Sequence, residues 1–132
     1  MTSSAPLPAE RRVVVRWVES HFGERWAGEA ETAFPVCPAS CHGAVDRAGN
    51  ICGFACHHVT FRGFFGPAGV PDKLRGRGLG TALLVRVLRS LAEAGYAYAV
   101  IWGASHEDFY GKAVGAVPVP GSKPGPYGIR TF

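Results

Sequence analysis

No apolar run in these 132 residues approaches the roughly 20 that a membrane-spanning helix requires, so a transmembrane helix is not expected. The opening segment "MTSSAPLPAERR" lacks the apolar core of a secretory signal, and the expected compartment is the cytoplasm. Charge is sparse as well. Only 18% of residues are charged and the net charge is +4, far from the dense basic stripe of a nucleic-acid binder. The mild excess still suits an anionic partner, and Arg62, Lys73, Arg75, Arg77, Arg86 and Arg89 carry much of it. Cysteine is limited to four, as Cys37-x3-Cys41 and Cys52-x3-Cys56, with His42, His57 and His58 beside them. In a strand, residues four apart on one face stand roughly 13 Å from each other, too far to share a zinc ion at about 2.3 Å per bond. The expectation is metal-free thiols that pack as small hydrophobes, without disulfides in a reducing cytosol.

What is present describes one α/β domain over residues 1–132, with 47% hydrophobic residues and no internal repeat or linker. Val14, Trp17, Val18 and Phe22 fall near helical spacing with Gly23 as a stop, and Trp26, Ala30, Ala33 and Phe34 repeat the pattern. "CHGAVDRAGNICGFACHHVTF" reads as two short strands around the turn "RAGN". "RGFFGPAGV" reads as a third strand, interrupted by Gly66 and Pro67. From Gly78 to Ala94 a helix presents Leu83, Leu84, Val87, Leu88 and Leu91 on one face, and Gly95 ends it. "YAYAVIW" has the continuous apolar character of a strand buried on both faces. "SHEDFYGKAV" predicts a further helix with Ser105 as N-cap and Gly115 as its close. The Pro/Gly-rich tail allows short strands near Ala116–Val119 and Tyr127–Phe132.

The segment "GVPDKLRGRGLGTALLVRVL", residues 69–88, crowds glycines where a helix should begin. Glycine admits positive φ and lets a ligand approach the backbone, and the first turn of a helix offers N–H groups to an anion. Arg75 and Arg77 add charge-assisted donors suited to phosphate oxygens, which makes a diphosphate the natural ligand. The Walker A pattern fails for want of a Lys after the glycines. The dinucleotide fingerprint fails because Gly80 arrives one residue early.

"RGRGLG", Arg75 to Gly80, resembles the acetyl-CoA signature of the GNAT acetyltransferase superfamily, [QR]-x-x-G-x-[GA]. Downstream, "GYAYAVIW" is similar to that family's next strand and "HEDFYGKAVGA" to its F-Y helix, so residues 41–127 follow the family's order of elements. The resemblance implies a mixed, mostly antiparallel central sheet flanked by helices. It further implies that backbone groups of Ala68 and Val70 pair with the pantetheine arm of acetyl-CoA, the co-substrate. By the same resemblance the amides of Arg75, Gly76, Arg77, Gly78, Leu79, Gly80 and Thr81 hold its pyrophosphate, and Tyr110 is the general acid beside the sulfur. "MTSSAPLPAERR" is a poor match to the family's first strand, so either that strand is absent or the chain is shortened. The third strand carries no carboxylate to inherit the role of base, which leaves His57, His58, Glu29 and Glu31 as contributors. Adjacent histidines in a strand alternate faces, so at most one of His57 and His58 would point at a cleft.

The leading expectation is an N-acetyltransferase that moves acetyl from acetyl-CoA to a small-molecule or protein amine, with no nucleic acid and no membrane as partner. A non-catalytic acyl-CoA-binding domain is the alternative, favoured by the missing strand and carboxylate. A nucleic-acid module suggested by "RGRG" is the third, and it would weaken steeply with salt. The oligomeric state is open, with a homodimer expected where an edge strand is missing.

Overall fold

The structure, a computed structural model, describes residues 2–102 and 106–123. The chain divides after Val100 into two compact units. The first holds β1(Thr2–Ser4), β2(Cys41–Val45), β3(Ile51–His57) and β4(Phe64–Gly69); β5(Val100–Ile101) falls at the division itself, and the strand order is β1-β2-β3-β4-β5. The pairings β1–β2, β2–β3 and β3–β4 are antiparallel. Its helices are α1(Arg11–Phe22), α2(Glu24–Glu31) and α3(Leu79–Glu93).

Helices α1 and α2 form because each has one apolar stripe and a glycine to separate them. Val14 and Val18 are buried one turn apart on α1, and Ala27 and Ala30 on α2. Gly23, at φ +97°, takes the Glu19 carbonyl through its N–H at 2.9 Å and starts the next helix at once. These residues pack on one face of the sheet with Cys41, Phe54 and Cys56. The opposite face receives α3, which buries Leu79, Leu83, Leu84, Val87 and Leu91, while Leu88 is half-buried. Asp46 anchors the β2–β3 turn, its Oδ1 accepting from the Ala48 and Asn50 amides at 2.9 Å each.

Three expectations change. The opening segment does contain a strand: β1 pairs Thr2 with Val45, Ser3 with Ala44 and Ser4 with Gly43. All three residues are exposed, so the pairing is carried by the backbone ladder and leaves no apolar alternation to read. β1 covers that edge of β2, which removes the ground for expecting a dimer there. "YAYAVIW" is not a long buried strand, since β5 spans Val100–Ile101 and Tyr98 is 81% exposed. The reason is that the Tyr96 N–H still serves the helix, donating to the Leu91 carbonyl at 3.1 Å. Next to the ladder, the Val100 N–H reaches Gly63 O, just ahead of β4, at 3.1 Å. Finally, Ala116–Val119 adopts no strand, and Tyr127–Phe132 lies outside the described residues.

The second unit contains α4(Glu107–Val114), with Glu107 and Asp108 in its first turn and Gly115 at φ +69° as its close. The expected N-cap, Ser105, lies outside the described residues. Lys123 pairs with Glu107 at 3.3 Å.

Candidate active site

β4 leads through Val70 and Pro71 into a single 3-10 turn, Asp72–Leu74, and then into the glycine-rich segment. Gly76 and Gly78 sit at φ +81° and +80°, conformations that cost an L side chain on the order of 1 kcal/mol or more. Gly78 is the residue that enters α3, and no side chain caps the helix there. Helix geometry leaves the N–H groups of Leu79, Gly80 and Thr81 without carbonyl partners inside the helix. A Cβ built on Gly76 or Gly78 would meet no atom within 4 Å. Open space at Gly76 and Gly78 and the uncapped donors of α3 adjoin one another, with the exposed Arg77 between the two glycines in the chain. That donor set fits a diphosphate.

The rest of the segment is more occupied than its residue types suggest. The Arg75 amide is spent on the Asp72 carbonyl at 3.3 Å, which leaves Gly76 to Thr81 as the amides for a ligand. The Arg75 side chain folds back, its Nε donating to Val70 O at 3.2 Å and its Nη1 pairing with Asp72 Oδ1 at 3.1 Å. Both partners of that ion pair are largely exposed, so it holds the loop only weakly. Leu79 is buried and anchors the helix while its amide faces the turn. Ala68 lies opposite Ala55 in the ladder, and both Ala68 and Val70 are half-buried.

Tyr110 lies on α4 in the second unit, half-buried and edge-on to Phe109 at 5.1 Å. Burial raises its phenol above the ordinary tyrosine range, so it holds its proton at neutral pH. Among the suggested bases, Glu29 is half-buried and its Oε1 accepts from the Thr60 hydroxyl at 3.0 Å, while Glu31 is exposed at the end of α2.

His57 and His58 do not alternate faces. β3 ends at His57, and His58 turns into the left-handed region at φ +56°, which brings the two rings to 4.9 Å. His42 stacks on the other side of His57 at 6.1 Å. The Ser90 hydroxyl donates to Arg86 O at 3.2 Å, so His42 Nε2–H donates to Ser90 Oγ at 3.1 Å. The Nδ1 atoms of His42 and His57 are buried without a hydrogen-bond partner. His58 Nδ1 accepts from the Gly63 amide at 2.9 Å.

Burial, then the nearby His58 and His42, lowers His57 to about 4, and burial also lowers His42 and His58. The imidazole of an unfolded chain titrates near 6.5. Between those values the unfolded state binds the extra proton, so stability is whole above pH 6.5 and falls as pH drops toward 4. The His57 contribution is lost across that window, damped by the ring's partial exposure to solvent. Urea midpoints measured from pH 7 to 4.5 should fall accordingly, and His57→Gln should flatten the slope. An equal slope in both proteins would remove His57 as its cause.

Strand register, not the x3 spacing, decides which cysteines are neighbours. Cys41 and Cys56 stand directly opposite each other on β2 and β3, both fully buried. His57 N–H donates to Ser40 O at 2.9 Å, so the adjoining Cys41–Cys56 pair is the close, non-hydrogen-bonded kind. Burial and then Cys41 push the Cys56 thiol well above its ordinary range. A protonated thiol is neither a good nucleophile nor a metal ligand. Among the described residues no three His, Cys, Asp or Glu side chains gather to hold a metal, and no helix is long and apolar enough to cross a membrane.

Comparisons with known proteins agree on one family. No curated protein matches the chain. Among solved structures, a GNAT family N-acetyltransferase (YhbS) from Escherichia coli in complex with CoA is 20% identical, with a TM-score of 0.57, covering 72% of this chain and 58% of its own. A GCN5-related N-acetyltransferase from Sphaerobacter thermophilus is 26% identical, with a TM-score of 0.59 and coverages of 71% and 32%. The chain thus spans less than two thirds of the length of either. An Agrobacterium tumefaciens protein named as an acetyltransferase is 12% identical, with a TM-score of 0.60 and coverages of 86% and 91%. The model of the acetyltransferase (GNAT) family matches residues 11–116, from α1 through the end of α4, and by that match the chain belongs to the GNAT acetyltransferase family.

Proposed function

We propose that the chain is an N-acetyltransferase that takes the acetyl group from acetyl-CoA and passes it to a primary amine by direct attack. The observation that carries this reading is the entry to α3, where two glycines at positive φ open onto uncapped helix amides directly after β4. Bound acetyl-CoA would supply an activated thioester carbonyl, from which the C–S bond breaks as a C–N bond forms. The chain's part is to bind, orient and move protons. The amides of Gly76, Arg77, Gly78, Leu79, Gly80 and Thr81, with the Arg77 guanidinium, would hold the pyrophosphate oxygens. Backbone groups of Ala68 and Val70 would align the pantetheine arm beside β4. Tyr110 would give its proton to the departing sulfur, a role for which a phenol that is neutral at pH 7 is suited.

β4 bears no carboxylate, so deprotonation of the incoming ammonium would fall to solvent or to a group outside that strand. That same observation favours the second reading, an acyl-CoA-binding domain without turnover. The compartment proposed is the reducing cytoplasm, in keeping with four free cysteines.

A native-state ligand at a hundredfold over its Kd should stabilise the fold by about 2.7 kcal/mol. Acetyl-CoA should therefore raise the melting temperature by several degrees, and a CoA-release assay over an amine panel should show turnover. No shift and no calorimetric heat at saturating acetyl-CoA would overturn the assignment. Binding without release on any amine would select the second reading.

A further inference from the structure

The α1–α2 junction builds a feature that the phosphate-side machinery does not use. Gly23 turns the chain so tightly that Phe22, the last residue of α1, stacks on Trp26 of α2 with centroids 5.2 Å apart and planes 26° apart. Phe22 also leans on Phe54 of β3 at 5.6 Å, and Trp26 meets Phe54 edge-on at 6.1 Å. Trp17 lies behind, 5.9 Å from Phe22 and 6.2 Å from Phe54. The rings are graded outward: Phe54 is fully buried, Phe22 half-buried, and Trp26 36% exposed.

This stack rests on the candidate cofactor strand itself. Gly69 is the ladder partner of Phe54, and it lies between Ala68 and Val70. A Cβ on Gly69 would fall 2.5–2.9 Å from three carbons of the Phe22 ring, so the ring sits directly against the strand backbone. Any side chain at Gly69 would push the ring away. Trp26, 36% exposed, is thus the outermost ring of a wall that begins at the strand proposed to align the thioester.

We propose that Phe22 and Trp26 are specificity-determining residues that select an amine carried on an aryl or similarly flat apolar group, over polyamines and lysine side chains. This rests on the acyl-transfer reading above. Aromatic faces prefer offset stacking or edge contact with another ring, and they also attract an ammonium over the face. An arylalkylamine satisfies both contacts at once. A polyamine could place an ammonium over a ring face, but its methylene chain has no ring to stack, so it makes only one of the two contacts.

The test uses the full chain with 2-phenylethylamine, n-butylamine, spermidine and a lysine peptide. Binding is measured by calorimetry, acetyl-CoA affinity is measured separately, and transfer is then measured with acetyl-CoA and with a longer acyl-CoA. The aryl amine should bind roughly five- to tenfold tighter than n-butylamine. Trp26→Leu, which keeps apolar bulk but removes the π face, should bring the two amines within about twofold. Phe22→Leu should do the same, and melting temperatures check that each variant is folded. Equal affinities, a preference for spermidine or the peptide, or full aryl preference in Trp26→Leu would overturn the proposal. A wall that instead raised selectivity for the longer acyl-CoA would overturn it too. Aryl preference without acetyl-CoA binding would remove the transferase reading and keep the wall. Acetyl-CoA binding without aryl preference would do the reverse.

Discussion

Gly78→Glu is expected to lower acetyl-CoA affinity at least a hundredfold while the chain stays folded. The reason is not a clash within the protein, because a Cβ at Gly78 meets nothing within 4 Å. Two other effects act. A non-glycine residue at φ +80° carries a strain of about 1–2 kcal/mol, which lowers stability but spares a domain of ordinary margin. The carboxylate would then stand at the uncapped entry to α3, where the pyrophosphate should lie. Each pair of like charges about 4 Å apart near a surface is worth roughly 4 kcal/mol of repulsion. Gly78→Asn separates the terms, since asparagine tolerates the left-handed region and is neutral. It should bind acetyl-CoA within about tenfold of the parent. Arg75→Ala should be milder than Gly78→Glu, on the order of 1–3 kcal/mol, because the proposed phosphate donors are Arg77 and the amides of residues 76–81, while Arg75 adds only nearby charge and its ties within the loop. Part of that loss would come from the loop, where Arg75 ties Val70 O to Asp72. Calorimetry with acetyl-CoA on the three variants checks the order, and unchanged affinity in Gly78→Glu would make the turn purely structural.

Tyr110→Phe is expected to reduce turnover roughly ten- to a thousandfold with little change in acetyl-CoA affinity. The substitution removes one proton and one oxygen and leaves the ring to pack against Phe109. A general acid works only while protonated, so kcat should fall as pH rises through the phenol's pKa. Burial places that limb above the ordinary tyrosine range. Without the phenol the limb should vanish, and the pH profile of the variant should be flat where the parent declines. The lower end of the range allows for a thiolate that leaves without help. Full turnover with an unaltered profile would make Tyr110 a packing residue and water the acid.

Local chemistry makes the glycine turn and the start of α3 legible. Glycines crowded before an amphipathic run, followed by Leu83, Leu84, Val87 and Leu91, announce a helix with a bare N-terminus, and α3 begins there. The same holds for Gly23, Gly95 and Gly115, each of which sits at positive φ where its helix stops. β1 was not readable because an exposed edge strand of Thr and Ser has only backbone pairing to declare it. The short β5 is not legible because alanine and tyrosine are apolar enough to suggest burial yet tolerate water, as Tyr98 does.

The boundary between sequence and tertiary structure falls where contacts stop being local. The chain by itself determined its helices, its three central strands and the glycine turn, because periodicity, positive φ and capping act within a few residues. The diphosphate proposed for the turn is argued from the same local properties, uncapped amides and arginines. Only the tertiary structure decided that Cys41 faces Cys56, because the antiparallel register and not the x3 spacing sets that distance. Only it brought His42, His57 and His58 together, through a ladder and one residue in the left-handed region. And only it laid Phe22 over Gly69 beside Phe54 and Trp26, joining four elements that no linear pattern relates. Those neighbours arise from strand pairing and helix docking, which minimise exposed apolar area over the whole fold and so cannot be read one segment at a time.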